Sequence, residues 1–300
     1  MSNTDEKYLS LLDLVLLYGE DRETRSGHTL SLFSPQNIEW DVRMGFPILS
    51  AREISFKNIA HELLWFMGSI PPWYTSTNIK YLVDNNVNIW NADAFRNFTN
   101  KYPANNLTQK EYILMISHHE DELPEGDLGN IYGKFWGKQL GNVIHQIQNN
   151  RNSRRLVVAS WEEDHTLPVP KKSALPPCHY SFQFFVDHLG RLSLKWTQRS
   201  VDVMLGLPYN IASYATLLHI VGHLTGYKPY RLIFSGGDVH VYKDHVEKAK
   251  ELLKRTAASS SKPMLEIVGN PLNHKSVVIE NLHLTNYNPH PKMEIPLLVG

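Results

Sequence analysis

The chain has 300 residues, 42% of them apolar, and its 30 basic side chains balance 30 acidic ones. That composition supports a sizeable buried core and supplies no global field to draw in nucleic acid or a membrane surface, so any anion site must be local. The lone cysteine, Cys178, excludes an internal disulfide and a cysteine-built zinc site and fits a reducing compartment. Met1 to Lys7 is polar, without a signal-type apolar segment, and no apolar run is long enough for a bilayer span. A soluble cytoplasmic protein is expected.

Tyr8 to Tyr18 has helical apolar spacing. Arg22 to Thr29 follows as a polar segment, either a solvated loop or an anion loop that presents an arginine among small residues. Leu30–Phe33 and Ile38–Val42 alternate like strands. Ile59 to Met67 is apolar nearly all round and predicts a buried helix containing Glu62. That carboxylate is either a helix-start charge with a partner or an acid/base whose pKa its surroundings tune. Pro71-Pro72 breaks the helix, 78–85 is helical, and 99–125 is polar with a helical piece near 112–118, which predicts a peripheral insertion. Gly126 to Gly133 is a glycine-rich turn without a nucleotide-phosphate spacing, and 143–149 is helical.

Arg151, Arg154 and Arg155 precede a strand at 156–161, where they either decorate the surface or offer guanidinium forks to a phosphate. Tyr180–Val186 and Leu192–Thr197 flank a His-Leu-Gly turn and predict a hairpin. Ile211 to Thr225 is the strongest helix, ended by Gly226. A strand at 231–235 is followed by alternation through 242, which puts His240 and Tyr242 on one face. A helix at 245–255, a Ser/Ala linker at 257–262 and late strands at 264–268 and 276–284 complete an α+β chain with no repeat and no clear boundary. Cys178 by itself is either a small buried hydrophobe or a nucleophile, and no serine elbow or histidine metal helix competes with it.

Six ordered motifs resemble the thymidylate synthase family. They are Glu62-Leu63-Leu64-Trp65-Phe66, Ser153-Arg154-Arg155, Leu175-Pro176-Pro177-Cys178-His179, the run from Gln198-Arg199-Ser200 to Asn210-Ile211-Ala212, Gly237-Asp238-x-His240-x-Tyr242, and Tyr287-Asn288-Pro289-His290-Pro291. The resemblance, with features of viral members, implies one catalytic domain over 1–300. Its fold would be a mixed, largely antiparallel sheet flanked by helices, with variable insertions at 69–77 and 99–125 and a closing tail at 287–300. It implies a two-fold dimer and two small-molecule substrates, dUMP and 5,10-methylenetetrahydrofolate, with no metal, nucleic acid or membrane. Cys178 would add to C6 of the pyrimidine, making C5 a carbon nucleophile. Glu62 would organise proton transfer, and Tyr132, Arg199, Asp202 and Asn210 belong to the same catalytic group.

The resemblance further implies that Arg199 and Ser200 hold the phosphate, with Arg25 as another arm and Arg154 and Arg155 reaching over from the second subunit. His240 and Tyr242 would take the sugar hydroxyl, with His179 and Gln198 also lining the substrate. Asp202 would hold the pterin, and Ile89, Trp90, Leu205, Gly206, Tyr209 and Val299 would form the folate side. Asn210 would read uracil, since an amide both donates and accepts.

The chain departs from the family at Phe135 and Gly137 in Tyr132-Gly133-Lys134-Phe135-Trp136-Gly137, where Gln and Arg are usual. It departs again at Glu53, at Thr197, in a shortened anion loop that blurs the place of Arg25, and in the Leu298-Val299-Gly300 end. These changes near the folate predict a dUMP hydroxymethylase that lets water reach the one-carbon unit. Thymidylate synthase is the alternative, and an inactive nucleotide- or RNA-binding relative the remote one.

Overall fold

The computed structural model describes residues 3–255 and 262–297. Its strands are β1 (Glu20–Thr24), β2 (Gly27–Phe33), β3 (Ile38–Asp41), β4 (Val157–Ala159), β5 (His179–Val186), β6 (Arg191–Asp202), β7 (Lys228–Tyr242), β8 (Met264–Ile267) and β9 (Leu282–Thr285). Its helices are α1 (Asn3–Tyr18), α2 (Phe56–Met67), α3 (Lys80–Asp84), α4 (Asn91–Lys101), α5 (Gln109–His118), α6 (Tyr132–Asn149), α7 (Gly206–Thr225) and α8 (Val246–Leu253). The main sheet runs β1-β2-β7-β6-β5-β4 with β3 also on β7, and β8 and β9 form a separate ribbon. Among the described residues only β6 and β7 pair in parallel; the other strand pairings are antiparallel. The architecture is therefore α+β with a mixed, mostly antiparallel sheet.

α7 is the central helix. It is buried around its circumference, from Leu207 and Ile211 to Ile220 and Val221, and packs on β6, β7, α2 and α6. Each large apolar side chain buried this way contributes roughly 1.5–3 kcal/mol. Pro208 is tolerated because the first helical turn has no intrahelical use for its N–H. Gly226, at φ 75°, ends the helix in the left-handed conformation that glycine adopts without strain. α2 starts where the Ser55 hydroxyl accepts the Asn58 N–H and ends at Gly68, also left-handed.

Four expectations change. Arg22–Thr29 is mostly strand and not an open loop: it forms the β1–β2 hairpin, with only Arg25 and Ser26 in the turn. β7 is one continuous strand, so Gly236-Gly237 marks close packing and not a break. A Cβ on Gly237 would sit 2.7 Å from the Arg199 carbonyl oxygen on β6. Residues 99–125 are not merely peripheral, because Tyr112 and Ile116 of α5 are fully buried. The late strand over 276–284 is only β9, preceded by two short 3₁₀ turns. The linker falls almost wholly outside the described residues.

Candidate active site

Cys178 lies at the mouth of the sheet, one residue before β5. The β5–β6 pairing shifts register between His179 and Ser181, and such an irregularity re-aims the chain beside it. Arg199 of β6 is fastened to this segment. Its N–H donates to the Cys178 carbonyl at 2.9 Å. Its Nε and Nη2 donate to the carbonyls of Pro177 and Pro176 at 3.0 and 2.8 Å. Nη2 then stands 3.7 Å from Cys178 Sγ. Burial pushes the thiol pKa up, the Arg199 guanidinium pulls it back down, and Asp93 pushes it up again. The resting group is accordingly a protonated thiol, with a cation in place to stabilise the thiolate when the proton leaves. Arg199 is itself exposed and accessible to an anion.

Behind the cysteine is an aromatic wall. The Cys178 N–H donates to the Tyr132 hydroxyl oxygen at 2.8 Å. The Tyr132 ring stacks on His179 at 4.0 Å and 10°. His179 Nδ1 hydrogen-bonds the Tyr214 hydroxyl at 2.8 Å, and burial lowers its pKa to about 3. His179 is therefore neutral and acts as a wall and not as a cation.

Glu62 projects from α2 toward Trp90, whose indole Nε1 donates to its carboxylate at 2.6 Å. Burial raises the Glu62 pKa to about 7, opposed by that hydrogen bond. A carboxyl so poised can give or take a proton at neutral pH. Among the described residues no cation pairs with it, which argues against the paired structural charge.

At the start of α7, Asn210 Oδ1 accepts from Gln198 Nε2 at 3.2 Å. Gly206 lies close below, where a Cβ would come 3.7 Å from the same oxygen. Asp202 ends β6, and its Oδ1 accepts the N–H groups of Met204 and Leu205 at 2.8 and 3.2 Å. Burial raises the Asp202 pKa, with His240 and His245 opposing. In the parallel register Asp202 faces His240 and Ser200 faces Asp238. His240 Nδ1 contacts Asp238 at 3.2 Å, so Nδ1 carries the hydrogen. His240 and Tyr242 do share a face, with rings 5.3 Å apart. Burial raises the Tyr242 pKa, and Ser26 and Arg25 lower it, which places the β1–β2 turn beside Tyr242. Ile89 is 47% exposed next to buried Trp90, and Leu205 and Tyr209 are half-buried.

Two arginines stand apart. Arg154 and Arg155 are exposed in the turn between α6 and β4, where Arg154 lines a surface hollow with Phe185 and His188. Val299 lies outside the described residues. Two contributors lie outside the residues expected at the site: Tyr214, which hydrogen-bonds His179, and Asp238, which orients His240. The usable signal was that a buried Tyr or Trp needs a partner for its polar tip. Among the described residues no three His, Cys, Asp or Glu side chains are grouped to hold a metal, and no helix is long and apolar enough to cross a membrane.

The sequence pattern of the family described as thymidylate synthase matches residues 6–299. A thymidylate synthase of Mycoplasma genitalium is 40% identical over 296 residues, covering 95% of this chain and 97% of that protein. A probable thymidylate synthase of Escherichia phage T5 is 37% identical over 306 residues, covering 96% and 98%. That of Malacoplasma penetrans is 35% identical over 295 residues, covering 96% and 98%. The chain thus belongs to the thymidylate synthase family and is a one-carbon transferase.

Proposed function

We propose that this enzyme methylates dUMP at C5, giving dTMP and dihydrofolate. The observation that carries the reading is Cys178 Sγ at 3.7 Å from Arg199 Nη2, within one site that also holds a carboxyl with a pKa of about 7 and an amide fit for uracil. Cys178 loses its proton and adds to C6, breaking the C5–C6 double bond and leaving negative charge on C5 and O4. Arg199 favours the thiolate and, with Ser200, meets the phosphate; Arg25 is a further arm from the β1–β2 turn. Asn210 contacts N3–H and O4. Glu62 moves protons on the O4 and C5 side and removes the C5 hydrogen's proton through the site. His240 and Tyr242 meet the sugar hydroxyl.

C5 then attacks the methylene carbon of the co-substrate 5,10-methylenetetrahydrofolate, loss of the C5 proton and departure of tetrahydrofolate leave an exocyclic methylene, and hydride from tetrahydrofolate reduces it, giving dihydrofolate as Cys178 leaves C6 and the C5–C6 double bond re-forms. The unspent apolar surface of Ile89, beside Trp90, and the amide-anchored carboxyl of Asp202 suit a flat heterocycle with N–H donors. Leu205, Gly206 and Tyr209 extend that wall, and Val299 is assigned to it by resemblance.

Methylation is favoured over the expected hydroxymethylation. Near full-length likeness to proteins named thymidylate synthase, one of them from a phage, supports it. Two departures are also absorbed in packing: Phe135 lies edge-on to His165 at 6.0 Å, and Gly137 faces the Met67 carbonyl and Lys275. Incubating dUMP with methylenetetrahydrofolate tests this. Dihydrofolate absorbance rising in step with dTMP is expected; tetrahydrofolate with 5-hydroxymethyl-dUMP would overturn it. Asn210→Asp is expected to move preference toward dCMP in direct competition.

The assembly proposed is a two-fold dimer in which Arg154 and Arg155 complete the partner's phosphate site. Their exposure beside Phe185, which is 64% exposed on the outer sheet face, supports it.

A further inference from the structure

Trp196 sits on β6 behind the substrate face and is absent from every role assigned above. Its ring is fully buried, stacked between Trp40 at 6.1 Å and 19° and Tyr214 at 5.0 Å and 13°. Its Nε1 donates to Gln198 Oε1 at 2.9 Å, and buried Gln198 passes its own Nε2–H to Asn210 Oδ1 at 3.2 Å. The direction of this relay is chemically forced. An indole N–H can only donate, so the Gln198 atom facing it is oxygen. The other end of that amide then donates, so the Asn210 atom facing it is also oxygen.

We propose that Trp196 sets uracil specificity by holding the Asn210 amide one way round through Gln198. This rests on the reading of the chain as a dUMP-methylating enzyme. An unrestrained asparagine is complementary to either pyrimidine. With Oδ1 toward N3–H and Nδ2–H toward O4 it matches uracil. Turned over, it offers Nδ2–H to the unprotonated N3 of cytosine and Oδ1 to the exocyclic amine. The relay disfavours the second arrangement. Turning Asn210 alone sets its NH₂ against the Gln198 NH₂. Turning both sets the Gln198 NH₂ against the indole N–H in a buried place, where an unmade hydrogen bond is costly. Trp196 is thus a positioning residue that acts on the base without touching it.

The test compares kcat/KM and equilibrium binding for dUMP and dCMP in the native enzyme, Trp196→Phe and Gln198→Glu. Phenylalanine keeps the stack and loses the N–H, so the dUMP-to-dCMP ratio is expected to fall about tenfold, the effect of one buried hydrogen bond. The glutamate carboxylate only accepts, draws the Asn210 NH₂ toward itself, and is expected to lower the ratio further. A purely structural role would weaken both nucleotides alike, so an unchanged ratio in both variants overturns the proposal. Failure of the native enzyme to use dUMP would instead refute the parent reading before any variant is compared.

Discussion

Glu62 titrates under two opposing influences, its burial and the Trp90 hydrogen bond. The Glu62 pKa rises from 4.5 to about 7 because of burial, so the folded state holds its proton more tightly than the unfolded chain does. The associated stability is fully present below about pH 4.5 and is lost as pH rises through about 7. Glu62→Gln lacks that loss. Its stability advantage over the native enzyme should open between pH 5 and 8 and reach on the order of 2 kcal/mol, while turnover falls by roughly 10²- to 10⁴-fold. Denaturant titrations at both pH values check this, and a pH-independent gap would remove burial as the cause. Trp90→Phe deletes the donor that favours the carboxylate. The limb of the pH–kcat/KM profile set by Glu62 should therefore move to higher pH; a downward move would mean that the indole does not stabilise the ionised form. Glu62 was legible as an anomaly in an apolar helix, but its pKa was not, because the burial that raises it, and the Trp90 hydrogen bond that opposes it from 28 positions away, exist only in the packed fold.

At the scale of elements, the parallel contact between β6 and β7 places Arg199. Gly237 lets the strands approach until its missing Cβ would lie 2.7 Å from the Arg199 carbonyl. Gly237→Ala should displace β6 locally, cost about 1–3 kcal/mol and raise KM for dUMP by loosening the guanidinium. A melting curve lowered with KM unchanged would show that this contact supports the fold and not the phosphate site. The β5–β6 hairpin was readable from alternation about a Gly turn, and α7 from its apolar periodicity and Gly226. α4 was hidden, since Asn91–Lys101 is mostly polar and buries only Ala94 and Phe98. β7 read as two pieces because paired glycines signal a turn locally, whereas here they answer a neighbouring backbone.

At the scale of the whole molecule, the outer face near β4 and β5 carries three exposed apolar side chains, Val157, Trp161 and Phe185. A charge at its centre, Phe185→Glu, is expected to halve the mass seen by sedimentation and to weaken dUMP binding as Arg154 and Arg155 are withdrawn; an unaltered mass would sink the dimer proposed here. The sequence by itself determined the chemical kinds of the site: one thiol, a carboxyl in an apolar helix, arginines flanking strands and an amide at a helix start, all in the family's order. Their covalent identity and local periodicity do not depend on distant neighbours. Only the tertiary structure decided that Arg199 stands over Cys178 by gripping two proline carbonyls, that His179 is neutral, that Glu62 titrates near neutrality, and which way Asn210 faces. Those properties arise from burial and from hydrogen-bond partners that lie far apart along the chain and meet only when the sheet and α7 are packed.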